Sequence, residues 1–231
     1  VPVDSKNLPF TGVSGFFKHW KNAPASIPRD RFLFFVGPRA GEITVNTTRI
    51  LSTDPTRADQ ITQAEITGRK QAELLTTFMK ENLPGFENSF LLETPTQIGV
   101  RESRRIAGQF QLSETDIINS TSFRDGIARC GYPIDIHMPD NAKMTLVDFK
   151  GSYEIPYRVM LPQNINNLLV TGRAVSSSHD AFASLRVTAP VMALGQAAGS
   201  AAALCIKTNT GPADVEIDTL RSLLVANNTI L

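Results

Sequence analysis

The segment from Asn167 to Ala203 combines residue types that could hold an electron-rich ligand. A short apolar run, NLLVT, is followed by Gly172, and a polar stretch then leads into a long segment of alanine and glycine. Glycine lets a backbone approach a ligand closely, and the start of a helix offers unpaired N–H groups with a partial positive charge. This order favours a site for a phosphate or for the carbonyl edge of a flavin ring. A small-residue helix that packs on a sheet without any ligand is the alternative.

Two of the three histidines are candidates for proton transfer. Histidine titrates near neutral pH, so it can act as an acid or a base beside a hydride-transferring group. His137 ends the segment YPIDIH, where Asp135 would share its strand face and could orient it. His179 lies in SSSHD. A structural role is the alternative for both, and His19 in FKHWK is expected at the surface.

Arginines are concentrated in the segment RESRR and recur at position 186. Alternation along a strand would place Arg101 and Arg105 on one face and Arg104 on the other. Two guanidinium groups on one face can clamp a carboxylate, which favours an anionic or polar substrate. Arg186 lies just before the expected helix start. For the RESRR arginines the alternative is a structural ion pair, with candidate partners at Glu102, Asp116 and Asp125.

Composition and charge exclude several classes of protein. The chain has 231 residues, with 23 Lys and Arg against 22 Asp and Glu, so its net charge of +1 gives no reason to expect a nucleic-acid or anionic-membrane partner. Cys130 and Cys205 form no paired motif, which argues against a disulfide framework or a cysteine metal site. No spacing of possible ligands indicates a metal. The length allows one large or two small folded domains.

One uncharged stretch, residues 187–206, has the length and the Gly-x-x-x-Gly motif of a membrane-spanning helix. It consists mainly of Ala, Gly and Ser and contains Pro190 and Gln196, so it has few side chains that favour transfer into lipid. Small residues on all sides favour a helix buried against a sheet and a cofactor in a soluble protein, with a membrane helix as the minor alternative. No charged-then-apolar leader opens the chain. The sequence therefore does not identify the cellular compartment, with the cytoplasm slightly favoured.

The elements that must position these residues are predicted from periodicity and from turn signals. In the first part we expect a hairpin of FLFFV and EITVN, a helix with a capping box at Thr62 and Glu65 that ends at Leu83-Pro84-Gly85, and a strand near 97–101. After it we expect a short helix capped by Ser113 and Asp116, strands in YPIDIH, MTLVDF and YEIPYRVML, a buried strand at 167–171, a loop to a helix at about 188–207, and a final helix capped by Asp218.

The chain resembles the C-terminal, flavin-contacting part of the FAD-dependent oxidoreductase family in the segment NLLVTGRAVSSSHDAFASLRVTAPVMALGQAAGSAAAL. Similar segments occur upstream in the family's order over about residues 40–206: AEITGRKQAELL, PGFENSF, IGVRESRRIAGQFQLSETD, DGIARCGYPIDIH and YEIPYRVMLPQNINNLLVTGR. The resemblance implies a glutathione-reductase-like fold. It also implies FAD as cofactor and hydride transfer between a small-molecule substrate and the flavin.

The resemblance further implies contacts residue by residue. The positions Gly172, Arg173 and Ala174 would lie near the ribityl chain, where related flavoproteins carry an acid; Arg173 cannot accept a hydrogen bond, and a surface charge is its alternative role. The N–H groups of Val187, Thr188 and Ala189 would face the pyrimidine edge of the ring and stabilise negative charge there. The candidate catalytic residues are His179, His137, Arg186, Arg101 and Arg105.

One part of the family pattern is absent from the sequence. The ADP half of FAD binds a G-x-G-x-x-G segment after a first strand, and no two glycines here are separated by a single residue. We therefore expect the C-terminal part of a family member that binds FAD weakly or not at all alone, with the nucleotide-holding half on the same or another polypeptide.

This interpretation predicts a mixed α/β fold. Residues 1–155 would form a substrate or cap domain, and residues 156–231 would form the closing part of an incomplete FAD-binding domain. An incomplete sheet exposes an edge, which would favour homo-oligomers. The alternative function is a non-catalytic ligand-binding module that keeps the cap architecture but is inactive without the nucleotide-binding half.

Overall fold

The computed structural model describes residues 13–137 and 144–231. They form two compact units: the first comprises the described residues up to Val100 together with His137, and the second comprises Arg101–Ile136 and Met144–Leu231. Helices and small antiparallel sheets occur together, so the predicted mixed α/β class is confirmed. The predicted boundary at 155/156 refers to the domains of a complete family member and stays a prediction.

The first unit contains a three-stranded antiparallel sheet and a long helix. In chain order its elements are β1 (Val13–Gly15), α1 (Phe17–Trp20), β2 (Phe32–Val36), β3 (Ile43–Val45) and α2 (Ala58–Asn82). The predicted hairpin is confirmed, since Phe34 of β2 lies opposite Val45 of β3. Aromatic rings fill the core, and the rings of Trp20 and Phe78 meet edge to face with centroids 5.6 Å apart.

Helix α2 begins earlier than the sequence pattern predicted. Thr62 is not a cap but lies inside the helix, where its hydroxyl donates to the carbonyl of Ala58 at 2.9 Å. The chain turns before the helix because the Asp54 carboxylate accepts from both the N–H and the hydroxyl of Thr56. The predicted end is confirmed, with Leu83 as the C-cap.

The second unit contains four helices and two antiparallel strand pairs. Its elements are α3 (Glu114–Ile118), β4 (Gly126–Cys130), β5 (Ile134–His137), β6 (Met144–Val147), β7 (Tyr153–Pro156), α4 (His179–Leu185), α5 (Thr188–Thr208) and α6 (Ile217–Ala226). Strand β4 pairs with β7, and β5 with β6. The inner face of α5 buries Leu194, Ala197 and Ala201, which follow each other at intervals of about one helical turn. This face belongs to the core that also holds Leu220 and Leu224 of α6.

Several elements predicted after α2 are wrong. The segments 97–101 and 167–171 are irregular, and Leu168 is exposed rather than buried. A strand needs a neighbour for its backbone groups; Val170 N donates to Met160 O, but no strand of the described residues pairs with this segment. The expected loop before α5 contains α4. Helix α6 is capped by Glu216, whose carboxylate accepts from two backbone N–H groups, rather than by Asp218.

Helix α5 is buried on one face, which packs in the core that also holds Ile127 and Ala128 of β4. Its other face presents small residues, Gly195 and Gly199 among them, flanked by exposed Met192 and Ile206. By length and composition α5 could cross a membrane, and 22% of its most apolar stretch is buried. It is the one helix of the described residues that passes this test, which is weak evidence for a membrane segment.

Candidate functional site

The turn at Gly172 lies against the start of α5. Gly172 has φ +75°, in the left-handed region that favours glycine, and Gly172–Ala174 forms one 3₁₀ turn. A Cβ placed on Gly172 would lie 4.0 Å from Cγ1 of Val191, which belongs to the first turn of α5. The glycine and the helix start, predicted as parts of one site, are therefore neighbours in the fold.

The start of α5 has open backbone donors. Val187 precedes the helix with extended backbone and has no side-chain oxygen that could cap it. Pro190 lies in the first turn, where its missing N–H removes no helical hydrogen bond. Thr188 and Ala189 are exposed. The N-terminus of α5, a helix of 21 residues, thus presents N–H groups and a partial positive charge at the surface.

A neighbouring segment is joined to the Gly172 turn by backbone hydrogen bonds. Ile106 N donates to Ala174 O at 2.9 Å, and Ser178 N donates to Leu112 O at 2.8 Å. Gly108 makes this close approach possible, since a Cβ there would lie 2.5 Å from the Cβ of Ser176. The residues that follow RESRR therefore run beside the segment that leads from the turn into α4.

Two predicted catalytic residues, Arg105 and His179, share the carboxylate of Glu102. Nδ1 of His179 lies 3.1 Å from Oε1 and 2.9 Å from Oε2 of Glu102. The guanidinium of Arg105 pairs with Oε1 of the same group and lies over the ring of Phe182, 5.2 Å from its centroid. The side chain of His179 is 61% exposed, so the ring is held on one side and accessible on the other.

The other two arginine candidates, Arg186 and Arg101, meet at Asp135. Arg186 Nη2 lies 3.3 Å from the backbone oxygen of Asp135 and 3.4 Å from its Oδ2. Arg101 Nη1 lies 3.9 Å from Oδ2, and its side chain is 43% exposed. Nearby, burial and then the negative charge of Asp135 raise the pKa of the Tyr132 phenol above its usual value.

The predicted arrangement of the RESRR arginines is wrong. Because residues 101–105 form no strand, Arg101 and Arg105 share no strand face, and they pair with different carboxylates. The structural pairing of Arg105 with Glu102 does occur. The other two proposed partners have different roles: Asp116 forms a capping box with Ser113, and Asp125 pairs with Arg158 at 2.9 Å.

The remaining candidates are placed as follows. His137 ends β5, and its side chain lies outside the described residues, so its orientation by Asp135 stays a prediction; the Asp135 carboxylate contacts Arg101 and Arg186. Arg173 is exposed in the Gly172 turn, and Ala174 is half-buried there. In the described part of the chain, no group of three His, Cys, Asp or Glu residues could hold a metal ion.

Sequence reasoning missed a buried polar cluster beneath α4. The Ser184 hydroxyl donates to Tyr132 O at 2.6 Å and lies 2.9 Å from the Tyr153 hydroxyl. Since the Ser184 proton goes to the carbonyl, Tyr153 donates to Ser184. The Cys130 sulfur lies 3.7 Å from the same oxygen. No short motif marks these residues, because they come from three separate segments of the chain.

Comparison with known proteins gives one match. A family model described as FAD dependent oxidoreductase matches residues 4–224. No curated protein and no solved structure gives a significant match. The matched range covers nearly all of the 231 residues, and the family implies FAD as cofactor and a flavin-linked redox role. The chain belongs to the FAD-dependent oxidoreductase family.

Proposed function

We propose that this chain supplies the substrate-facing part, and the helix that faces the flavin ring, of an enzyme that transfers hydride between a polar or anionic small molecule and FAD. The observation that carries the proposal is the exposed, uncapped start of α5 beside the Gly172 turn. Its N–H groups are fixed before any ligand arrives, which is what makes donors effective against developing negative charge.

The residues fit the ring end of FAD. The pyrimidine edge of a flavin carries carbonyl oxygens, which match the N–H groups of Val187, Thr188 and Ala189. No atom beyond its chain neighbours lies nearer than 4.0 Å to a Cβ built on Gly172, so the backbone surface there is open to a planar group. When bound, FAD supplies the acceptor or donor of hydride.

The pyrophosphate end has no counterpart in these residues. The sequence contains no G-x-G, so we propose that residues outside these 231, on the same or another polypeptide, hold the nucleotide half of FAD. The same absence favours the second candidate, a ligand-binding module without redox chemistry of its own.

The side chains have separate roles in the proposal. His179 exchanges a proton with the substrate, because its ring is accessible and an imidazole can act as an acid or a base. Arg101 contacts the substrate in this proposal, because its side chain is 43% exposed and is the most exposed of the three candidate catalytic arginines. Arg105 and Arg186 hold carboxylates of the protein, so they shape the site instead of clamping the substrate.

The test is flavin retention by the complete gene product. Gly172→Val fills the space beside α5, and we expect it to lose bound FAD, measured as visible flavin absorbance per protein. Gly172→Asn separates strain from steric exclusion, because asparagine tolerates the left-handed backbone yet adds a side chain; we expect it to lose FAD as well. Gly195→Ala, at an open position of α5, is the control that keeps FAD. Full occupancy in a folded Gly172→Asn protein would overturn the site.

The two candidate functions differ in the behaviour of the bound cofactor. An oxidoreductase contains flavin whose visible absorbance is bleached anaerobically by a polar or anionic substrate and returns with an oxidant. A ligand-binding module shows no stoichiometric flavin in the complete gene product. A complete reading frame without a strand–GxGxxG–helix unit, together with flavin-free protein, would favour the module.

A further inference from the structure

We propose that Glu102 is a positioning residue for His179: its carboxylate keeps the imidazole proton on Nδ1 and leaves Nε2 as the atom that exchanges a proton with the substrate. The inference rests on the proposed function for what His179 does. The tautomer itself is a property of this chain and can be measured without FAD.

The hydrogen-bond geometry determines the tautomer. Nδ1 lies within 3.1 Å of one carboxylate oxygen and 2.9 Å of the other. An ionised carboxylate only accepts hydrogen bonds, so Nδ1 must carry the proton. In the neutral ring Nε2 is then the acceptor. This is the tautomer that an unrestrained histidine side chain in water disfavours, so its presence would need the carboxylate.

Glu102 is itself held in place by Arg105. The Arg105 guanidinium pairs with Oε1 of Glu102 and stacks over Phe182, which is 1% exposed. Phe182 follows His179 by three residues on α4, so both side chains project from one face of that helix. The carboxylate and the imidazole are therefore fixed to the same short helix by independent contacts.

The backbone closes the arrangement. Ile106 N donates to Ala174 O, and Ser178 N donates to Leu112 O. The Ser178 hydroxyl accepts from Ala181 N and caps α4 immediately before His179. The segment that follows Glu102 and the segment that precedes His179 are thus joined by two backbone hydrogen bonds, which limits the motion that would separate the two side chains.

A purely electrostatic role for Glu102 makes a different prediction. A carboxylate near the start of α4 would stabilise the positive end of the helix from any orientation, and it would leave the neutral ring of His179 in the tautomer that water favours. The position of the imidazole proton therefore separates positioning from charge compensation.

The experiment is long-range ¹H–¹⁵N NMR of the 231-residue chain labelled at histidine nitrogen, at a pH where the imidazole is neutral. The chain has three histidines, and His179→Gln assigns the signal. We expect the Nδ1–H form at position 179 in the wild type and mainly the Nε2–H form in Glu102→Ala. Glu102→Gln, whose amide oxygen can still accept, should retain much of the Nδ1–H form.

Asp218→Ala removes an exposed carboxylate on α6 and is the charge-matched control, which should leave the tautomer unchanged. An Nε2–H form in the wild type, or an unchanged Nδ1–H form in folded Glu102→Ala, overturns the proposal. If Glu102→Ala does not fold, Glu102→Gln still tests it against the wild type. Full FAD occupancy in a folded Gly172→Asn protein would contradict the proposed function but would not affect the tautomer measurement, so the two failures are distinguishable.

Discussion

Arg186 is joined to Asp135 by one nitrogen that faces both a backbone and a side-chain oxygen. Nη2 lies 3.3 Å from the Asp135 carbonyl oxygen and 3.4 Å from Oδ2, and the two side chains are only 13% and 11% exposed. Arg186 is the C-cap of α4 and lies two residues before Thr188, the first residue of α5, and Asp135 lies on β5. This pair therefore fixes the helix start to the β5–β6 pair, and with it the N–H groups proposed to face the flavin.

Replacement of Arg186 by methionine should destabilise the chain strongly. The change keeps much of the side-chain volume but removes the guanidinium group beside the Asp135 carboxylate, which is 11% exposed and lies 3.9 Å from Arg101. Breaking a buried pair from one side costs about 3–5 kcal/mol, and the remaining arginine reduces this to about 2–4 kcal/mol. The free energy of unfolding in urea is the measurement.

Arg104→Met is the control for this experiment, because Arg104 is exposed and surface changes stay within about 0.5 kcal/mol. Equal effects of the two substitutions would show that the Asp135 pair contributes nothing specific.

A pair of glycine substitutions separates close packing from helix propensity. Gly108→Ala places a Cβ 2.5 Å from the Cβ of Ser176, so the backbone contact beside the Gly172 turn must open, at a cost of about 1–3 kcal/mol. Gly195→Ala meets nothing within 4 Å in the middle of α5 and should stabilise the chain by about 0.5–1 kcal/mol. Thermal unfolding of the two variants is the comparison, and destabilisation by Gly195→Ala would mean that α5 is not open on this face.

Local signals in the sequence were sufficient where an element is determined by its own residues. The α3 capping box, the β2–β3 hairpin and the start of α5 all follow from side chains within a few positions of each other. The neighbourhood of Gly172 and the α5 start joins more distant residues, Gly172 and Val191, and was predicted from the order of glycine, loop and small-residue helix along the chain.

Long-range pairing was beyond the reach of sequence reasoning. The run at 167–171 has the composition of a strand, but strand formation depends on a partner, and no described strand of this chain provides one. Arg101 and Arg105 were assigned to one strand face. In the structure Arg101 pairs with Asp135, which lies over 30 positions away, and Arg105 pairs with Glu102. The sharing of Glu102 by Arg105 and His179 requires residues that are 77 positions apart to meet, and no local pattern records this.

Alkaline pH should destabilise the second unit through its buried tyrosines. Burial is the main cause that raises the pKa of both Tyr153 and Tyr157 above the usual value. In the unfolded chain these phenols ionise near pH 10, while the folded chain keeps their protons. The unfolded state therefore binds fewer protons above about pH 10, so the free energy of unfolding is fully present below that pH and falls as the pH rises beyond it.

Phenolate absorbance and unfolding measured together will test this. Ionisation of Tyr153 and Tyr157 should coincide with the loss of structure, whereas the more exposed Tyr132 should ionise before it. Tyr153→Phe should flatten the decline of stability with pH. Ionisation of all three tyrosines in a fully folded protein would contradict the prediction.

The hydroxyl of Ser184 should be worth more to stability than its size suggests, because it connects the Tyr132 carbonyl and the buried Tyr153 phenol to α4. It donates to Tyr132 O and accepts from Tyr153, so Ser184→Ala leaves a buried phenol without this acceptor, which costs about 1–3 kcal/mol. Ser103→Ala, at an exposed position of the RESRR segment, is the control and should be neutral.

Once Tyr153→Phe has removed the donor, Ser184→Ala should cost less, so the double variant should be destabilised by less than the sum of the single ones. Strict additivity in urea unfolding would mean that the two hydroxyls do not interact. Ser184, Phe182 and His179 all lie on α4. Loss of the Ser184 contact should therefore also lower the fraction of His179 that is in the Nδ1–H form. The packing of this helix is in this way connected to the chemistry proposed at its first residue.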